Sequence, residues 1–276
     1  MTADRSERER AAGMRFFTGL HQPSDAKHFD AAFVSVNRLR SRKGPFAVGD
    51  WIMDSGAFTE ISTHGHYRHD VASYAAEIRR WANNGRLLAA VAQDWMCEPF
   101  IVKKTGLSVE RHQLLTVERY DALLAEDTAG VYILPVLQGF APSDYERHLE
   151  MYGERLKRGQ WVGVGSVCKR NARPQEVAAV LLAIKQKRPD LRLHGFGLKS
   201  TALADPLVRS LLETADSMAW SFAARREKRN PNDWREAARW AAAIVERPVQ
   251  HVLDLLPRSL NRQWHCSNRA LLLAGG

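Results

Sequence analysis

Short, mostly apolar segments recur along the chain, and stretches of helical period separate most of them. The apolar segments are 14–20, 29–36, 51–55, 87–93, 132–138, 161–167, 191–198 and 217–222. They often end at Gly, Asp or Gln, the pattern of parallel strands buried on both faces. Amphipathic periodicity predicts helices over 71–83, 109–125, 143–158, 174–187 and 203–214. Pro142-Ser143-Asp144 and Arg173-Pro174 carry the proline and capping chemistry of helix starts. This alternation predicts an α/β fold, a single (β/α)8 TIM-type barrel over residues 14–276. An open doubly wound sheet would advertise a G-x-G-x-x-G loop after its first strand, whereas the glycine pairs here fall late, at Gly163/Gly165 and Gly195/Gly197. The first units are irregular, because little room for a helix remains between Leu20 and Phe29. A helix near 232–246 and the tail after it are expected to close the barrel, and residues 1–13 to form a flexible N-terminal segment.

Composition narrows the function classes. With 276 residues, 45% apolar and 26% charged, the chain can bury a full core, which excludes a disordered or fibrous protein. Lysine and arginine number 40 against 31 acidic residues, a formal net charge of +9. That excess favours a polyanionic partner, nucleic acid ahead of an acidic membrane. Three widely spaced cysteines, Cys97, Cys168 and Cys266, form no C-x-x-C pair and signal neither a disulfide framework nor a zinc knuckle. No apolar run reaches the roughly 18 residues of a spanning helix, and the polar start has no secretory h-region. The expectation is a cytoplasmic protein that makes no membrane contact.

In a barrel of this kind the active site forms at the C-terminal ends of the strands. Those ends read Asp54-Ser55-Gly56, Gln93-Asp94-Trp95-Met96-Cys97-Glu98-Pro99, Gln138-Gly139-Phe140, Gly163-Val164-Gly165-Ser166, His194-Gly195-Phe196-Gly197 and Asp216-Ser217-Met218-Ala219-Trp220. A single aspartate after a strand is most often a cap or loop residue. Several acids, two glutamines and paired glycines on one rim suggest a pocket for a polar, planar ligand that lies close to backbone. Trp95, Phe140 and Trp220 offer stacking faces. A base extracted from a nucleic acid fits that description.

The order of these segments resembles the tRNA-guanine transglycosylase superfamily. Asp-Ser-Gly-Ala-Phe, Gln-Asp-Trp-Met-Cys-Glu-Pro, Val-Leu-Gln-Gly, Gly-Val-Gly-Ser and His-Gly-Phe-Gly look like that family's D-S-G-G-F, F-D-E-C, V-Q-G-G, A-V-G-E and M-G-V-G segments, over roughly residues 14–222. The fuller forms look closest to its DNA-directed, DpdA-like branch, whose members insert 7-deazaguanines into DNA or belong to base-excising defence systems. The resemblance implies that Asp54 is the acid/base aspartate and that Asp94 and Gln138 read the edge of an extruded base. Gly163 and Gly165 would form a flat backbone wall. Ser55, Gln93, Trp95, Gly139, Phe140, His194, Gly197 and Trp220 complete the expected base-binding set. Strict strand alternation, however, would turn Asp94 and Gln93 to opposite sides.

Two departures shape the expected function. The family's zinc cluster is missing: beyond Phe222 only His251, His265 and Cys266 are potential ligands, so no structural metal and no cofactor are expected. Laid without gaps, Asp216-Ser217-Met218-Ala219 puts Ala219 where exchanging members carry a nucleophilic aspartate. Excision needs only a stabilised oxocarbenium-like centre and an activated water. The leading expectation is therefore a DNA glycosylase with Asp54 and Asp216 as catalytic residues, DNA favoured over tRNA as partner, and antiviral defence as a natural setting. Base exchange and a non-catalytic nucleic-acid-binding barrel are the alternatives, and a sugar-phosphate enzyme is weaker for want of a phosphate cup. Lys169, Arg170, Lys199, Arg225, Arg226, Lys228 and Arg229 are candidates for the nucleic-acid backbone. Arg38, Arg40, Arg42 and Lys43 form a further basic strip. His64, His66 and His69 suggest a polar lid, or less readily a metal site. The sequence leaves the oligomeric state open.

Overall fold

The computed structural model describes residues 14–170 and 173–245. Its strands are β1 (Arg15–Leu20), β2 (Ala31–Ser35), β3 (Asp50–Asp54), β4 (Arg86–Val91), β5 (Ile133–Leu134), β6 (Val136–Leu137), β7 (Trp161–Val164), β8 (Arg192–Gly195) and β9 (Thr214–Ser217). The helices are α1 (Ala57–His64), α2 (Val71–Trp81), α3 (Pro99–Thr105), α4 (Val109–Leu124), α5 (Pro142–Tyr152), α6 (Pro174–Lys187), α7 (Ser200–Leu203), α8 (Pro206–Leu211), α9 (Ala219–Arg226) and α10 (Trp234–Val245).

The strands pair in parallel in the order β5-β4-β3-β2-β1-β9-β8-β7-β6. The two edges, β5 and β6, are halves of one segment split by Pro135. β5 bonds to β4 and β6 to β7. Proline has no N–H to give a ladder, yet its carbonyl still accepts from the Gly163 amide at 2.8 Å. One interrupted strand thus joins both edges, which gives the expected TIM-type barrel.

Side chains alternate between two layers. Phe17, Phe33, Ile52, Val91, Leu134, Val136 and Trp161 fill the barrel interior. Phe16, Val34, Trp51, Met53, Ala90, Leu137, Val162, Val164, Leu193 and Ala215 face the helices. Local chemistry sets the helix starts: Asp70 and Ser108 cap α2 and α4 by accepting from Ser73 and Arg111 amides at 2.8 and 3.1 Å. Proline at the first turn opens α3, α5, α6 and α8.

The boundaries differ from the expectation in three places. The last strand is Thr214–Ser217 rather than 217–222, and the apolar run beyond it is helix α9. In place of one helix over 203–214 there are two short ones, Ser200–Leu203 and Pro206–Leu211, because Asp205-Pro206 stops the first and caps the second, Asp205 accepting from the Leu207 amide at 2.9 Å. Helices α1 and α3, each closed by a left-handed glycine, occupy segments where the sequence reading placed no helix. As expected, no full helix joins β1 to β2; a 3-10 turn, Pro23–His28, takes its place. The expectations for residues 1–13 and for the tail beyond 245 lie outside the described residues.

Asp50 ties the bottom of the barrel together. Its carboxylate accepts from Arg15 at 2.5 Å and from Arg86, linking the first residues of β3 and β4 to β1. Although burial pushes its pKa up, the bonds from Arg86 and Arg15 hold it below the usual carboxylate range. Because both arginines are partly exposed, replacing Asp50 by alanine should cost about 1–2 kcal/mol in denaturant unfolding. The wild-type advantage should disappear as pH falls below the ordinary carboxylate range, since a lowered pKa contributes stability only above it. An unchanged unfolding midpoint at neutral pH would show that these contacts do not stabilise the barrel.

Candidate active site

The C-terminal mouth gathers acids from separate strands. Asp54 ends β3, opposite Ser35 of β2, and the Ser35 hydroxyl and the Gly56 amide (3.1 Å) donate to its carboxylate. Gly56 has φ +77, and a Cβ there would meet the Asn37 amide at 2.5 Å. The Asp-Ser-Gly run can fold back onto Asp54 only with glycine at that place. Asp216, on β9, is buried, and one of its oxygens, Oδ1, accepts from the Gly197 amide at 3.1 Å and lies 3.2 Å from His194 Nε2. Asp94 lies just beyond β4, and its carboxylate accepts from Gln138 Nε2.

These carboxyls sense one another. Burial, and then the charge of Asp216, pushes the Asp54 pKa up to about 6. Burial raises Asp94 to about 7; the Gln138 bond opposes this, and the charges of Asp54 and Glu98 add to it. A desolvated carboxyl beside other acids holds its proton, so the mouth is poised for proton transfer near neutral pH.

Gln93 and Asp94 turn to different partners. The chain leaves β4 after Val91, so alternation no longer governs Gln93 and Asp94. Gln93 accepts from Arg119 on α4 at 2.8 Å and donates to the His69 carbonyl at 3.4 Å. Asp94 instead reaches Gln138.

Five other expected base contacts are engaged within the protein. Trp95 packs edge-on against Tyr67 and His112 in a buried cluster with residues of α1 and α3. Trp220 is buried on α9 and donates to the Gly19 carbonyl at 2.8 Å, because the strand it was assigned to ends at Ser217. The Phe196 ring covers Gly163: a Cβ there would lie 2.3 Å from it. Gly165 backs the Gln138 amide in the same way, at 2.1 Å. His194 is fully buried among Phe17, Phe33, Trp161 and Phe196. It serves Asp216 from inside the barrel.

The remaining candidates divide. Ser55 is buried next to Asp54, and Gly139 packs against the start of α5, where a Cβ would meet Asp144 at 2.7 Å. Phe140 is exposed beneath the Arg170 guanidinium, 4.3 Å from its ring centroid. Arg225, Arg226 and Lys228 are exposed along or just after α9. Arg229 is neutralised by Glu227 and Glu236, and Arg42 is engaged by the Gly44 and Pro45 carbonyls. His64 and His66 are exposed, whereas Tyr67 between them and His69 is buried and donates to the Asp94 carbonyl at 2.7 Å. Among the described residues no group of three or more His, Cys, Asp or Glu is placed to hold a metal ion. His251, His265 and Cys266 lie outside those residues.

Sequence reasoning missed the layer that holds these groups. Gln113 of α4 donates to the Gln138 and Asp144 carbonyls, both at 2.7 Å. His148, kept neutral by burial with its pKa near 3, accepts from the Gln138 amide at 2.8 Å. The Ser166 hydroxyl accepts from the Cys97 amide at 2.8 Å and lies 2.7 Å from Gln138 Oε1 and 2.9 Å from buried Glu98. The signal for Glu98 and Ser166 was their place in the strand-end segments; Gln113 and His148 gave none beyond helical period.

A raised carboxyl pKa contributes stability that is complete below the ordinary range and lost as pH rises through the folded value. Asp94→Asn should therefore gain thermal stability over the parent between pH 4 and pH 8, by roughly 5 °C at the upper end. A variant that melts earlier than the parent at pH 8 would mean that the folded protein favours the ionised carboxylate.

The family model for DpdA, described as DeoxyPurine in DNA protein A, matches residues 13–266. No curated protein matches the chain. Among the described residues no helix is long and apolar enough to cross a membrane.

Proposed function

The chain belongs to the DpdA family, which is tRNA-guanine transglycosylase-like, and from that premise we propose that it cleaves the N-glycosidic bond of a nucleotide flipped out of DNA. The supporting observation is the carboxyl at the barrel mouth: Asp54 with a pKa near 6, raised by burial and by the charge of Asp216. Asp54 is the less buried of that pair and sits at the opening. As carboxylate it takes a proton from water while the water oxygen attacks C1′. The C1′–N bond breaks, and its electron pair leaves with the base. Asp216, fixed through Oδ1 by Gly197 and His194, supplies negative charge to the cationic sugar. Asp94 and Gln138, joined to each other by a hydrogen bond, offer the donor and acceptor groups for the polar edge of the base. A modified base and a role in antiviral defence suit such an enzyme.

One observation favours a second reading. Asp216 is the acid on the last strand, where an exchanging enzyme would hold its nucleophile. In that reading a covalent sugar intermediate waits for an incoming 7-deazaguanine.

The test incubates the protein with DNA carrying guanine or modified bases, and measures abasic sites, free base and incorporation of labelled 7-deazaguanine. Excision predicts abasic sites and free base without incorporation; incorporation without abasic sites selects exchange. Asp54→Asn and Asp216→Asn should each lower the rate by roughly 10²–10⁴-fold. With Asp54 as base, kcat/KM should rise with pH and level off above about 6. Salt-sensitive binding with no bond broken under any condition would leave only a non-catalytic nucleic-acid-binding barrel.

A further inference from the structure

The aromatic residues of the described chain are buried or half-buried with four exceptions, and all four stand on the strand-end rim. Phe58 in α1, Phe100 in α3, Phe140 after β6 and Phe222 in α9 are 48%, 46%, 42% and 55% exposed. Water-facing phenylalanine elsewhere on the barrel would carry no message, but confinement to the rim of one mouth does.

Each ring also has a cation at its face. Lys169 Nζ lies 5.3 Å from the Phe58 centroid and 5.7 Å from that of Phe100. The Arg170 guanidinium is 4.3 Å from Phe140, and Lys199 Nζ is 5.8 Å from Phe222. The arc runs from β3 through β4, β6, β7 and β8 to β9, so it encircles most of the barrel opening. Alternating π faces and positive charges match one polymer chemistry: a nucleic-acid strand whose bases are unstacked from a partner. A paired duplex presents phosphates but hides its base faces, so it satisfies the cations and leaves the rings in water.

We propose that this rim is a stacking platform for unpaired nucleotides on either side of the extruded one, making single-stranded or locally opened DNA the substrate form. The inference rests on the nucleic-acid reading above and adds to it the conformation of the strand. Phe58 and Phe100, flanking one ammonium, would hold two neighbouring bases with the intervening phosphate on Lys169.

The test measures binding of the full chain to a labelled deoxyoligonucleotide, as single strand and as matched duplex, over a salt series. The parent should bind the single strand at least about tenfold more tightly. Phe58→Leu and Phe100→Leu keep apolar bulk but remove the π face. Each should weaken single-strand binding roughly tenfold, with the salt slope unchanged and duplex binding little affected. Lys169→Ala should instead flatten the salt slope for both forms. Equal affinity for single strand and duplex, or leucine variants that bind as the parent does, would overturn the inference while leaving the DNA reading standing. Loss of binding to anionic phospholipid vesicles, rather than to DNA, in the leucine variants would assign the rim to a lipid surface and also overturn it. A parent that binds neither DNA form would remove the DNA reading itself.

Discussion

Like charges crowded out of water set the terms for everything at the barrel mouth. Asp54, Asp94 and Asp216 come from different strands, and the pKa values of the first two rise to about 6 and about 7 under burial and neighbouring acids. A chain optimised only for stability would place a lysine or an apolar residue among them. Instead the cations stay on the rim, and the interior answers the acids with neutral donors: the Ser35 hydroxyl, the Gly56 and Gly197 amides and the Gln138 amide. Such donors orient a carboxylate without cancelling its charge, which suits a site that must take up a proton or face a developing cation.

Orientation reaches further down for Asp216. Trp161 Nε1 can only donate, and it donates to Thr214 Oγ1 at 2.9 Å. Thr214 Oγ1 also lies 2.8 Å from His194 Nδ1, and His194 Nε2 lies 3.2 Å from Asp216 Oδ1. A chain of polar contacts thus runs from the indole on β7 through β8 to the aspartate on β9. The imidazole in the middle of it is packed against Phe33, stacked at 5.8 Å, and Phe196 at 4.6 Å. The aromatic filling of the barrel is thus more than volume, because it holds the imidazole in place between Thr214 and Asp216.

Much of this was legible in the sequence because parallel strands buried on both faces leave unmistakable apolar runs, and a barrel dictates which end of each run carries chemistry. Seven of the eight strands, and the places of Asp54 and Asp94 at their ends, followed from that rule, whereas Asp216 precedes the run read as the last strand and was singled out by the resemblance. The eighth failed for a physical reason: Ala219–Arg226 is apolar on one face only, and a short amphipathic helix and a strand cannot be told apart over so few residues. Trp220 was misassigned with it. Gln93, counted with the base-binding set, turns instead to Arg119 on α4, while its neighbour Asp94 reaches Gln138. Glycines were read as open wall when Gly163 and Gly165 are spaces already taken by Phe196 and Gln138. A sequence shows that a Cβ is missing, but it does not show what fills the room.

The net charge acquires meaning once the two electrostatic zones are separated. Nine excess positive charges would be a weak statement spread over the surface, but Lys169, Arg170 and Lys199 follow strands at the end of the barrel that carries Asp54, Asp94 and Asp216. On the reading proposed above, a nucleic acid approaching the rim would meet an attractive field at its phosphates, and a sugar drawn inward would meet the opposite sign at Asp54 and Asp216. Such a reversal of sign between rim and floor would suit a ligand that is negative outside and becomes positive inside, as a nucleotide does when its glycosidic bond begins to break.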